Sequence, residues 1–124
     1  MTFKAATAFG LVLATLTLTP GLAHEVKNGP NGGRVADAGA HHVELVVKND
    51  VVDVFITDHS DNAIAPSGFK GVAILAVSGK SQRVTLAPSG ERLSGKLTTT
   101  ASGALKGVVQ LTGPDGKTAQ ARFN

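Results

Sequence analysis

The sequence predicts an all-β domain, a small antiparallel sandwich or barrel of about seven strands and Ig-like in size. Three observations carry this. Short runs rich in Val, Ile and Thr alternate with turn signals at about eight- to twelve-residue spacing. No segment beyond residue 24 sustains a helical period of apolar residues. Gly is plentiful, at 15 positions, as a turn-rich β chain requires.

The elements follow in chain order. Lys4 precedes a short apolar run over 5–18, too short to span a bilayer. Pro20 ends the run and Gly21-Leu22-Ala23 offers a cleavage site, so residues 1–23 are expected to be a secretory signal peptide. The expected location is the periplasm or the extracellular space. Cleavage after Ala23 removes 23 of 124 residues and leaves 101, enough for one domain with a modest core. Residues 24–33 (HEVKNGPNGG) are expected to be an irregular lead-in, with turn chemistry at nearly every position from Asn28. Residues 34–124 are expected to form a single β domain.

Within that domain, 34–36 is a short first strand. The strongest strands are 41–48 (HHVELVVK) and 51–58 (VVDVFITD), joined as a hairpin at Asn49-Asp50. Residues 60–69 read as a loop. The next hairpin pairs 70–78 with 81–87 and turns at Gly79-Lys80. Strands over 91–99, 105–112 and 118–123 complete the set, with Gly113-Pro114-Asp115-Gly116 as the turn between the last two.

Composition excludes several functions. Cys is absent, so disulfides, thiolate metal sites and cysteine nucleophiles are absent too. Met1 is the only Met and leaves with the signal, which removes thioether ligands. Loss of Lys4 takes the net charge from +3 to +2, and the remaining cations are scattered, with no Tyr or Trp to stack on bases. Nucleic-acid binding is not expected. Stable membrane insertion of the mature chain is not expected either. Gly29 to Gly33 lacks the pattern of a phosphate loop, and no G-x-S-x-G is present. His59-Ser60-Asp61 holds the residue types of a triad, but adjacent residues do not supply triad geometry. The protein is expected not to be an enzyme.

The four His are His24, His41, His42 and His59. A hairpin turning at Asn49-Asp50 sets Val47 against Val52, Leu45 against Val54 and Val43 against Ile56 on one face. The same register sets His41 opposite Asp58, and His42 opposite Thr57 and diagonal to His59. Glu44 follows two residues along on the His42 face. Imidazoles gathered at one hairpin end, with a carboxylate to ligate or orient them, suit Cu(II), Zn(II) or Ni(II). His24, if N-terminal, brings an α-amine and an imidazole that chelate together. The expected metal ligands are His42 and His59 first, then His24 and His41, with Asp58 or Glu44 as a supporting carboxylate.

Asn28-Gly29-Pro30-Asn31-Gly32-Gly33-Arg34, followed by the Glu44-Leu45 step, resembles a small β domain. That domain lies near the N-terminus of periplasmic adaptor subunits of heavy-metal efflux pumps. It begins with a His-Gly-Pro-His-Gly-Gly-like turn, and Asn28 and Asn31 stand here where it has His. The adaptor's helical hairpin and other domains have no counterpart in this chain. The resemblance implies a setting, periplasmic metal handling, with metal-efflux or metal-delivery components as partners.

The leading expectation is a soluble periplasmic protein that binds a divalent transition metal, copper favoured over zinc or nickel, as a buffer or carrier. The alternative is a metal-free interaction module using an edge strand or the 60–69 loop, which an exposed Phe69 would favour. A third reading, a histidine-brace copper enzyme, needs His24 beside a second His.

Overall fold

The computed structural model describes residues 26–124. The expected signal peptide and His24 lie outside the described residues. Among the described residues nine strands form: β1 (Lys27–Asn28), β2 (Arg34–Ala38), β3 (His41–Lys48), β4 (Val51–Thr57), β5 (Lys70–Val77), β6 (Lys80–Ser89), β7 (Arg92–Lys96), β8 (Gly107–Thr112) and β9 (Thr118–Phe123). Among the described residues there is no helix. The all-β, antiparallel expectation therefore holds.

The strand count exceeds the expected seven or so, and of the expected sandwich or barrel the arrangement is nearer the barrel. All nine strands join one antiparallel sheet, in the order β1-β2-β3-β4-β7-β6-β5-β8-β9. Strand β6 makes this continuous. Lys80 to Leu86 pair with β5, while Ala87, Pro88 and Ser89 pair with β7. One ten-residue strand thus carries hydrogen bonding from one half into the other, and no second sheet separates off. The sheet curls into a half-barrel. Arg34 of β2 places its guanidinium 5.5 Å from the Phe123 ring centre of β9. It also donates to the carbonyl oxygens of Asn124 and Leu105. This cation–π contact and these hydrogen bonds tie strand β2 to the end of the chain.

The alternation in the sequence explains the core. Val43, Leu45 and Val47 of β3 and Val52, Val54 and Ile56 of β4 face inward. Leu75, Val84, Leu86, Leu93, Val109, Leu111 and Phe123 face them from the other strands. Phe123, Leu75, Leu93 and Val54 are among the fully buried side chains, and each such residue contributes about 1.5–3 kcal/mol of burial.

The β3–β4 hairpin has the expected register, with Lys48 opposite Val51 and Asn49 at φ 56°. The β5–β6 turn sits one residue earlier than expected, at Ser78-Gly79, with Val77 opposite Lys80. Both turn residues have positive φ, 50° and 77°, as a two-residue hairpin turn matching the strand twist demands. Gly79 fills the second of those positions, so Lys80 falls in the strand. The lead-in is not wholly irregular, since β1 pairs with β2 through Lys27 and Val35. The first long strand runs two residues beyond its expected end, to Ala38.

Candidate metal centre

Two hairpins bring three side chains together. β2 and β3 turn at Gly39-Ala40, so Ala38 faces His41 and Asp37 faces His42. β3 and β4 set His42 opposite Thr57. Asp37, His42 and Thr57 therefore form a row across three strands, on the face away from the core. Directly opposed residues of this kind have Cβ atoms about 4.5–5.5 Å apart.

His59 enters this row from the turn after β4. Asp58 builds that turn. Its carboxylate accepts from the backbone N–H of Ser60 and of Asn62, both at 2.9 Å, and from the Asn62 side-chain amide at 3.2 Å. The Asp58 N–H donates to the Asn62 carbonyl at 3.0 Å, and Asp61 takes a φ of 63°. The Ile64 N–H closes the loop on the Ile56 carbonyl at 2.9 Å. The Asn62 hydrogen bonds, backbone first, hold the Asp58 carboxyl below its ordinary value, with a smaller contribution from Ser60 and from the nearby His59.

The resulting geometry is compact. His59 Nδ1 lies 2.9 Å from His42 Nε2, and the rings meet edge to face with centres 4.7 Å apart. His42 Nε2 lies 3.1 Å from Asp37 Oδ1. One ligand atom from each of Asp37, His42 and His59 falls within 4.8 Å of the others. Two outer contacts set the ring orientations. His59 Nε2 is 3.1 Å from the Gly39 carbonyl, which can only accept, so that nitrogen carries the proton and Nδ1 presents a lone pair. His42 Nδ1 lies 3.4 Å from Asp61 Oδ1, a carboxylate placed to accept a hydrogen bond from that nitrogen when it is protonated. His42 Nε2, between the Asp37 carboxylate and the His59 Nδ1 lone pair, both of which only accept, is the donor to them, and an ion would take the place of that proton once it moves to Nδ1 beside Asp61. A carbonyl behind one imidazole and a carboxylate behind the other is the usual outer support of metal-binding histidines.

The remaining expected site residues are distributed differently. His41 lies on the core side of β3 and packs edge to face on Phe69, with ring centres 5.3 Å apart. It does not face Asp58, because the β3–β4 ladder ends at His42–Thr57 and the chain turns away. Asp58 spends its oxygens on its own turn and positions His59. Glu44 is 4% exposed and lies under the lead-in turn. It accepts from the Asn31 N–H and side-chain amide and from the Gly33 N–H, each at 2.9 Å. The glycines of that turn follow from its closeness. A Cβ on Gly29 would lie 2.3 Å from the Glu44 side chain, and one on Gly33 would lie 2.2 Å from the Leu45 carbonyl oxygen. Asn31 thus serves as a donor to Glu44.

Asp37 is the ligand candidate that sequence reasoning missed. The signal for it in the sequence is weak. Reading Gly39-Ala40 as a two-residue turn sets Asp37 opposite His42, but the first strand was expected to stop at residue 36. The cluster lies at the mouth of an open groove of about 1310 Å³, whose walls include Pro30, Val35, Phe55, Ile64 and Pro66. Comparison with family models, with curated proteins and with solved structures gives no match.

Proposed function

We propose that this protein binds a divalent transition metal at Asp37, His42 and His59 and serves as a periplasmic buffer or carrier of that ion. The observation that carries the reading is the convergence of two imidazole nitrogens and a carboxylate oxygen within 4.8 Å. Two imidazoles and one carboxylate are a borderline donor set that suits Cu(II), Zn(II) and Ni(II). Copper is the favoured ion, because Cu(II) stands highest in the affinity order of divalent first-row metals for nitrogen and oxygen donors. The resemblance of the lead-in turn to efflux-pump adaptor domains supports the same setting, with metal-efflux or metal-delivery components as partners.

The cluster is open on its groove side and shallow, with Asp37 exposed and His42 half-buried. An ion held there exchanges readily, as a buffer or carrier requires. The metal-free module reading loses one support, because Phe69 is buried at 6% exposure and offers no aromatic to a partner. The histidine-brace reading rests on His24, outside the described residues.

Calorimetric titration of Cu(II) and Zn(II) into the chain starting at His24 tests the proposal. The expected result is 1:1 binding, tighter for Cu(II), abolished in His42→Ala/His59→Ala. Equal and weak binding by both proteins would refute it.

A further inference from the structure

We propose that the outward face of β5, β6, β8 and β9 docks the acidic surface of a protein partner. The inference stands apart from the metal reading. The four registers align outward residues into rows across the sheet. One row runs Arg83, Ile74, Val108, Arg122, and the next runs Thr85, Val72, Gln110, Gln120. Lys70 begins the third, opposite Thr112. Arg83, Arg122 and Lys70 are exposed, while Ile74, Val72 and Val108 are half-buried between them. Strands β5, β6, β8 and β9 contain no Asp or Glu at all. The acidic residues of the strands sit in the other half, as Asp37, Glu44 and Asp53. Among the described residues no carboxylate pairs with Lys70, Arg83 or Arg122.

Unpaired arginines around an aliphatic centre have the composition of a protein interface, in which Arg binds carboxylates in a two-pronged manner. The face is small. Four strands about 4.8 Å apart and about 20 Å long cover less than the ~800 Å² per partner of a standard interface. It therefore fits a transient, electrostatically steered contact. A lipid surface is the weaker match. Membrane-bound faces sink apolar side chains about 5–10 Å into the headgroup region, whereas here Val72, Ile74 and Val108 are half-buried between exposed cations.

The test uses the chain starting at His24, labelled for NMR, with poly-L-glutamate as the acidic probe at low salt. Resonances of Val72, Ile74, Arg83, Val108 and Arg122 should shift most. Affinity should fall at least ~10-fold in Arg83→Glu/Arg122→Glu and less steeply in the milder Arg83→Gln/Arg122→Gln pair. Lys48→Glu/Lys96→Glu, which reverses charges in the other half, should change it less than ~2-fold. Retained spectral dispersion shows that each variant folds. Shifts centred elsewhere, or unaltered affinity in both arginine pairs, would overturn the proposal. So would binding to phosphatidylglycerol vesicles that poly-L-glutamate fails to displace, which would assign the face to a membrane.

Discussion

His42 Nε2 and His59 Nδ1 lie 2.9 Å apart, although the two residues come from different elements. The strand β3 supplies one and the turn after β4 supplies the other, and the Asp58 carboxylate fixes that turn. The candidate site is therefore made by a hairpin register plus one local hydrogen-bonded loop. Each part can be perturbed alone.

Removing a ligand should cost more than removing its support. His42→Ala and His59→Ala should each weaken Cu(II) binding by at least about 100-fold, and Asp37→Asn by about 10- to 100-fold. Asp61→Asn, which weakens the support behind His42 Nδ1, should cost about 10-fold at most. Competition against a chromogenic chelator reads all four.

Ligation requires neutral imidazoles, so Cu(II) affinity should decline on acidification and recover fully on return to neutral pH. The decline should steepen when both His are present and flatten in either single His variant. Calorimetric titration across this range measures it.

Asp58→Ala should weaken metal binding although Asp58 is not in the cluster, because His59 loses its fixed turn. Amide exchange should speed up at Ser60 and Asn62 and stay unchanged in β8 and β9. The pH dependence has a definite sign. The folded-state carboxyl lies below its ordinary 3.8, so its contribution is present above that pH and is lost as pH falls through the lower folded value. Hydrogen exchange of the Asn62 amide at stepped acidic pH should show the turn loosening below pH 3.8.

Glu44 should prove structural. Glu44→Ala leaves the Asn31 and Gly33 donors without their acceptor and should destabilise the fold by about 1–3 kcal/mol. Gly33→Ala should also destabilise, since its Cβ would lie 2.2 Å from the Leu45 carbonyl oxygen. Urea unfolding followed by circular dichroism tests both, and metal affinity of the folded fraction should change little.

The legible parts of this chain are those governed by strict alternation. Val43, Leu45 and Val47 against Val52, Val54 and Ile56 fixed one register, because a slip by one residue would turn every one of them to solvent. That register alone set His42 diagonal to His59. Asp37 was not legible by the same route, because the strand carrying it is Ala-rich and its hairpin turn, Gly39-Ala40, lacks an Asn-Gly or Asp-Gly signature. The continuity of the sheet was hidden for a different reason. It depends on β6 changing partner between Leu86 and Ala87, and pairing of one strand with two neighbours leaves no periodic trace. Glu44 was misleading in kind. A carboxylate beside histidines resembles a ligand in sequence, whereas its hydrogen bonds go to a turn eleven and thirteen residues earlier.

In the proposed site His42 and His59 share one ion. Electron paramagnetic resonance of the Cu(II)-loaded chain starting at His24 tests it most directly. The expected spectrum shows coupling to two imidazole nitrogens, reduced to one in either His42→Ala or His59→Ala. A spectrum unchanged in both variants would place the copper elsewhere and contradict the assignment.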